Sequence, residues 1–258
     1  MRPVGAVTRG TTAPNRLRRI DRWTIASYGD LLRSTASPLV VDLGFGASPV
    51  TTVEFADRLR LVRPGLDVLG LEIDPVRVLA AQPFARPGLS FARGGFEVPS
   101  PRRPVLVRAL NVLRQYDEAD VGAAWGLMQT RLAPGGVLVE GTCDELGRLA
   151  SWVAVSPEGP QTFTAAARLG SLGRPSELAE RLPKCLIHRN VPGEPVHALF
   201  RDLDRAWDVH ASLAVFGARQ RWLATIASIR ETGWPVLGGQ VRWRLGEVTL
   251  PWSAVAPA

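Results

Sequence analysis

Two stretches of this chain combine residue types that can do chemistry: VVDLGFGASP at 40–49 and LGLEIDP at 69–75. In the first, Asp42 stands two residues before Gly44, and Gly46 follows. Glycine permits backbone angles and a closeness of approach that side chains forbid. A ligand can then lie against main-chain N–H groups and the start of the next helix. In the second stretch, Glu72 lies 28 residues after Gly44. An acid at the end of the neighbouring strand sits beside the glycine turn and accepts from both hydroxyls of a ribose. The chemistry these residues offer is nucleoside binding.

Two ligand classes use this layout. A dinucleotide site expects G-x-G-x-x-G, its third glycine packing helix on strand; here that position is Pro49. A pyrophosphate also gains nothing from an acid two residues before the first glycine. S-adenosylmethionine does, because it carries a sulfonium and an ammonium, and Asp42 would face that cationic end.

The elements that must hold these groups are legible in the hydrophobic pattern. Residues 16–35 repeat apolar positions at helical spacing; a short apolar strand ends at Asp42, and 50–61 reads as a helix. Residues 67–74 form a strand and 75–82 a helix opened by proline, a favoured first helical residue. Further strands are expected at 89–95, 104–113 and 137–145, with a helix over 118–132. Strands alternating with helices predict a parallel sheet covered on both faces. Later, 150–167 reads as a hairpin, 195–210 and 217–233 as helices, and 242–252 as a terminal strand or strand pair.

On these residues the chain resembles class I, Rossmann-like, S-adenosylmethionine-dependent methyltransferases. VVDLGFGASP resembles their first motif, D/E-x-G-x-G, with Ser48 in place of a frequent third glycine. LGLEIDP is similar to the second, with Glu72 as the ribose acid. ARGGFE (92–97) resembles the third-strand region, where backbone and a side chain hold the adenine. Gly95 stands near the acid that the family often places there, which leaves Glu97 or a backbone carbonyl for the adenine amino group. Phe96 is either a stacking partner or core. RALNVLRQY (108–116) is similar to the fourth motif and brings Asn111 to the cofactor. LAPGGVLVEGT (132–142) resembles the turn before the fifth strand. The resemblance covers 38 to about 145. It implies a doubly wound α/β fold: a mostly parallel seven-stranded sheet, helices on both faces, and late antiparallel strands. It also implies S-adenosyl-L-methionine as cofactor, bound by Asp42, Gly44, Gly46, Glu72, Gly95, Phe96 and Asn111, with no metal. The expected organisation is a basic arm and first helix over 1–35, then a methyltransferase domain over 36–258 with a hairpin and loop elaboration at about 146–200.

Composition narrows the rest. With 258 residues, 46% hydrophobic, the chain can bury a full core. No apolar run reaches the ~20 residues of a membrane span. The start lacks the apolar segment of a signal peptide. Cys143 and Cys185 are too few for a disulfide framework. A cytoplasmic enzyme is expected. The net charge of +7 is concentrated in residues 1–22, where Arg2, Arg9, Arg16, Arg18, Arg19 and Arg22 face the single acid Asp21. With 30 arginines and one lysine, Lys184, the chain carries a compositional bias that weakens any case for arginine chosen for its geometry.

The acceptor is less legible. Asn111 is followed by Val112 and Leu113, so the Pro-Pro turn of amino-methylating enzymes is absent. GTCDE at 141–145 carries a Thr-Cys pair like that of RNA cytosine enzymes, without their second cysteine; Cys143 is expected to be a packed thiol. Asp144 and Glu145, with Asn111, are too few oxygen ligands for magnesium. His188, in a loop marked by proline and glycine, is a candidate general base beside the reading of a structural histidine. The basic arm is expected to serve the substrate or to cover the cofactor as a lid. Its arginines would suit RNA phosphates, yet aromatics are not interleaved with them, so a small molecule is favoured over RNA. The alternatives are an aminopropyltransferase or NAD(P) reductase of the same architecture, and a non-catalytic nucleic-acid-binding protein.

Overall fold

The chain, whose computed structural model describes residues 3–257, divides into two compact units. The first holds residues 1–140, 145–147 and 155–159; the second holds 141–144, 148–154 and 160–258. Arg2 of the basic arm lies outside the described residues.

The strands are β1 (Leu39–Leu43), β2 (Asp67–Glu72), β3 (Leu89–Arg93), β4 (Leu106–Leu110), β5 (Val137–Cys143), β6 (Leu149–Ser156), β7 (Gly159–Ala167) and β8 (Glu247–Pro251). They follow the order β3-β2-β1-β4-β5-β6-β7-β8 in one hydrogen-bonded sheet. Among the described residues that is eight strands. β1 pairs in parallel with β2 and β4, and β2 with β3, while β7 and β8 run antiparallel. The architecture is α/β and Rossmann-like, with helices on both sides of the sheet. β1, β4 and β5 are buried at every residue, as near-continuous apolar runs in a parallel sheet should be.

In the first unit, α1 (Arg18–Ser34), α2 (Val50–Arg60), α3 (Pro75–Ala81) and α4 (Glu118–Gln129) stand where the periodicity placed helices. α1 buries Ile20, Trp23 and Leu32. α3 starts at Pro75, and the Asp74 side chain caps it by accepting from the Val76 N–H at 2.8 Å. In the second unit, α5 (Lys184–Ile187) is a single turn, and α6 (Pro195–Val209) packs on α7 (Ala218–Glu231). The expected strand at 242–252 is corrected at its start: Arg242 and Trp243 end a short helix, α8 (Gln240–Trp243). The chain then turns at Gly246, where φ is +84° and a Cβ would lie 2.1 Å from the Ala167 carbonyl oxygen. Arg242 holds the turn by donating two hydrogen bonds of 2.8 Å to the buried Glu247. The 3-10 turns between Leu169 and Arg181 had no periodic signature.

Charges are set into this core. Asp42 and Arg108 face each other in register across β1 and β4. Arg108 donates from Nε to Asp42 Oδ1 at 2.8 Å and from Nη2 to Oδ2 at 2.7 Å. Its Nη1 donates to Asp21 of α1, and Nη2 also reaches the Thr51 carbonyl at 3.1 Å. Phe55 lies 4.0 Å from the guanidinium carbon. Thr52 donates to Asp42 at 2.6 Å, and Arg58 donates to Asp21 at 2.5 Å. Burial penalises the Arg108 cation, but Asp42 and Asp21 outweigh it and hold its pKa above the ordinary arginine value. Removing one member of a buried pair leaves a charge without compensation, which costs about 3–5 kcal/mol. R108M should therefore lose about that much stability in urea at pH 7. The defect should shrink at mildly acidic pH, where the stranded Asp21, whose carboxyl burial already pushes up, can protonate.

Glu140, in β5, is fully buried, and neither carboxyl oxygen has a hydrogen-bond partner of good geometry among the described residues. Burial pushes its carboxyl up to about 8, with the Trp125 indole pulling weakly the other way. Between the ordinary value of 4.5 and about 8, the folded protein holds a proton that the unfolded chain has released. Stability is thus complete below that window and is lost as pH rises through it. The melting temperature should fall between about pH 4.5 and pH 8, and Glu140→Gln should flatten that dependence. An equal fall in both proteins would show that the charge of Glu140 does not control it.

Candidate functional site

The order β3-β2-β1-β4 reverses direction at β1, which makes the carboxyl ends of β1 and β4 a topological switch point. Ligands of open α/β sheets bind in the crevice at such a point. β1 ends at Leu43, and the glycine turn follows. Gly44 takes φ +75° and Gly46 φ +80°. A Cβ on Gly44 would lie 2.6 Å from a methyl of Val112, and the Gly44 N–H donates to the Leu71 carbonyl at 2.7 Å. The turn is thus clamped between β2 and the segment after β4. Ser48, standing for the third glycine, accepts weakly from the Val50 N–H at 3.4 Å as α2 begins.

Glu72 closes β2 beside this turn and is 2% exposed. Its Oε2 accepts from the Gly46 N–H at 2.9 Å; its Oε1 accepts from Ile73 at 2.8 Å and from Asp74 at 3.3 Å. Arg77 stands 3.7 Å away. The carboxylate is fixed by backbone donors and aimed across the glycine turn.

Gly95 and Phe96 follow β3. Gly95 donates to Glu97 Oε1 at 3.0 Å. Phe96 is buried and meets Tyr116 edge to face at a centroid distance of 5.2 Å. Asn111, at the end of β4, takes a left-handed φ of 63°. Gly44, Glu72, Gly95 and Phe96 therefore border one cleft, together with Val112 and Tyr116.

Asp42 is placed differently from the sequence expectation that it faces the cationic end of a ligand. Both its oxygens are taken by Arg108 and Thr52, and it is only 3% exposed. Its charge is neutralised within the core. His188 is exposed, ends the short helix α5, and belongs to the second unit. Cys143 is fully buried, as a packed thiol should be. No three metal-ligating side chains gather among the described residues, and no helix among them is long and apolar enough to cross a membrane.

The chain's own arm is a wall of this cleft, through its main chain rather than its arginines. Val4, Gly5, Ala6 and Thr8 line it. The Phe96 N–H donates to the Val4 carbonyl at 2.9 Å, and the Val4 N–H donates to Glu97 Oε2 at 2.7 Å. Ala6 N–H donates to the Tyr116 hydroxyl, and Arg9 N–H to Gln115 Oε1 at 3.2 Å. The Ala47 N–H of the glycine turn donates to the Gly10 carbonyl at 2.9 Å, while Arg77 donates to the Thr8 carbonyl at 2.9 Å. The volume left between these groups is about 20 Å³, room for about one water. No periodicity marks an irregular segment that docks through its main chain. Only Gly5 and Gly10 hinted at special backbone, at φ +127° and +72°.

No protein-family profile matches the chain, and no curated protein matches it in sequence. Partial likenesses to solved structures are present. Magnesium protoporphyrin IX methyltransferase (ChlM) from Synechocystis PCC 6803, with bound SAH, is 19% identical over 49% of this chain and 54% of its own, at a TM-score of 0.39. CalS10, an amino pentose methyltransferase from Micromonospora echinaspora, is 22% identical over 58% of this chain and 65% of its own, at 0.35. DesVI of Streptomyces venezuelae is 19% identical over 58% and 71%, at 0.36. The chain thus spans about half the length of the first and under two thirds of the second. Likenesses this partial carry no functional argument.

A left-handed backbone costs a non-glycine residue roughly 1–2 kcal/mol. Gly44→Ala should lose at least about that much in urea, since the new methyl also meets Val112. Gly65→Ala should be neutral, because nothing lies within 4 Å of a Cβ there. Equal stability of the two variants would remove the special status of the turn.

Proposed function

We propose that this chain binds S-adenosyl-L-methionine in the cleft at the carboxyl ends of β1 and β4, and transfers its methyl group to a small-molecule acceptor. The observation that carries the reading is the position of Glu72. It is a buried carboxylate at the end of β2, held by the Gly46 N–H across a turn of two left-handed glycines. Those are the ribose acceptor and the backbone approach that a nucleoside needs. Phe96 N–H and Glu97 supply a donor and an acceptor where the family resemblance puts the adenine. Pro49 in place of a third glycine speaks against a dinucleotide.

When bound, S-adenosylmethionine supplies a carbon already activated by its sulfonium, so the protein's task is alignment and exclusion of water. Glu72 would hold the ribose, and Gly44 and Gly46 would let the ligand lie against the main chain. Asp42, committed to Arg108, supports this turn from beneath rather than meeting the ligand. Asn111 borders the same strand end as a further cofactor contact. An acceptor with a free lone pair needs no base; a hydroxyl would need one.

Glu72→Ala removes a charged acceptor, and each hydrogen bond to a charged group is worth about 1.5–3 kcal/mol. Calorimetry should show S-adenosylmethionine and S-adenosylhomocysteine binding roughly ten- to a hundredfold more weakly. Unchanged affinity would remove the ribose assignment. Tighter binding of NAD(P) than of either compound by the parent would overturn the methyltransferase reading in favour of a reductase.

A further inference from the structure

We propose that residues 4–10 form a displaceable strap, in which the Val4 backbone imitates the pairing edge of adenine and competes with the nucleoside for its site. The proposal rests on the cofactor reading above and goes beyond it, since it makes the chain its own competitive inhibitor.

Adenine presents an amino N–H donor next to a ring-nitrogen acceptor, and proteins read that edge with one acceptor and one donor. Val4 presents the same pair. Its N–H donates to Glu97 Oε2 at 2.7 Å, and its carbonyl accepts from the Phe96 N–H at 2.9 Å. Glu97 is oriented for this by its other oxygen, which holds the Gly95 N–H at 3.0 Å. Gly95 lets the flat peptide come close, because a Cβ there would lie 2.0 Å from the Val4 oxygen. A flat base needs the same clearance. At the other end of the strap, the Gly10 carbonyl takes the Ala47 N–H of the glycine turn. A ligand lying from turn to β3 would therefore find two of its main-chain donors already in use, in a space of about 20 Å³. The strap cannot cover a nucleoside in this position; it has to leave.

The hold on the strap suits departure. Val4 is 41% and Val7 57% exposed, so the apolar side chains of the strap contribute little. What remains is a set of main-chain hydrogen bonds, and segments with few buried contacts open at low free energy. Its downstream anchor is separate: the Asn15 N–H donates to both oxygens of Glu54 at 2.9 Å, and α1 begins at Arg18. Residues 4–10 can swing away without disturbing the helix. The arm assigned by its charge to substrate or closure thus acts here through its backbone, against the cofactor.

The test compares S-adenosylhomocysteine binding by the parent, by a chain lacking residues 1–10, and by Gly10→Val. The last puts a β-branched side chain at a left-handed backbone position, φ +72°, which should expel the strap. Apparent affinity is reduced by the fraction of competent protein, so a strap closed nine-tenths of the time would make both variants bind about tenfold more tightly. Hydrogen exchange on the parent should show the ligand exposing the amides of Ala6 and Arg9. Should the deletion fail to fold, Gly10→Val and the exchange data decide. Equal or weaker binding by the variants, or added protection of residues 4–10 by the ligand, would overturn the strap and make it a lid. Absence of binding by all three proteins would instead remove the cofactor reading, and the mimicry with it.

Discussion

A guanidinium in the middle of the sheet organises the first unit. Arg108 lies within a strand that is otherwise apolar, and its cation is acceptable there only because Asp42 answers it in register and Asp21 answers it from α1. Taking these charges from water is expensive, and their mutual attraction repays it only with complete hydrogen bonding. Thr51, Thr52 and Arg58 of α2 complete it. Four elements must therefore arrive together: α1, β1, α2 and β4. The glycine turn lies between β1 and α2, so its position is inherited from this cluster. The clearest effect of the pair is to fix where the turn sits, rather than to add stability.

That inheritance explains how a site can depend on an acid that does not face it. Asp42 is two residues from Gly44, and the strand alternation that carries Asp42 to the helix side leaves the turn free to bend towards Glu72. Glu72 then accepts from the turn rather than from bulk solvent. The carboxylate is already desolvated, and its orientation is set by Gly46, Ile73 and Asp74. Pre-organised in this way, it loses less freedom when a ligand arrives than a mobile surface acid would.

The α/β architecture was readable because its signals are periodic and local. Apolar runs of strand length, helical stripes and a proline at a first helical position each act within about a dozen residues. The expected elements from α1 to β5 are present, with ends shifted by a few residues. Glu72 and the two glycines were legible for the same reason, since spacing alone put an acid beside a turn. Arg108 carried a signal of its own, an isolated charge inside VLVRALNVL, which implies a buried partner. Which acid would answer it depended on register, and the sequence does not state register. The docking contacts of the arm were illegible because they are made by peptide groups, which every residue has. The start of the last strand was misplaced because Arg242 and Trp243 belong to a short helix, and the Arg242–Glu247 contact is made only once the turn has formed.

Docking by peptide groups has a further consequence, for how this arm can change over time. The groups of residue 4 that touch Glu97 and Phe96 are its N–H and carbonyl, while its side chain is two-fifths exposed. Almost any residue except proline, which lacks the N–H, can make those contacts. Gly5 and Gly10 have no such latitude, since a Cβ on Gly5 would lie 2.9 Å from the Tyr116 hydroxyl and both take left-handed backbone. Across related chains the arm should therefore drift freely in its side chains while keeping two glycines at a fixed separation. Such a segment would look dispensable in an alignment scored by residue identity. Its constraint lies in the spacing.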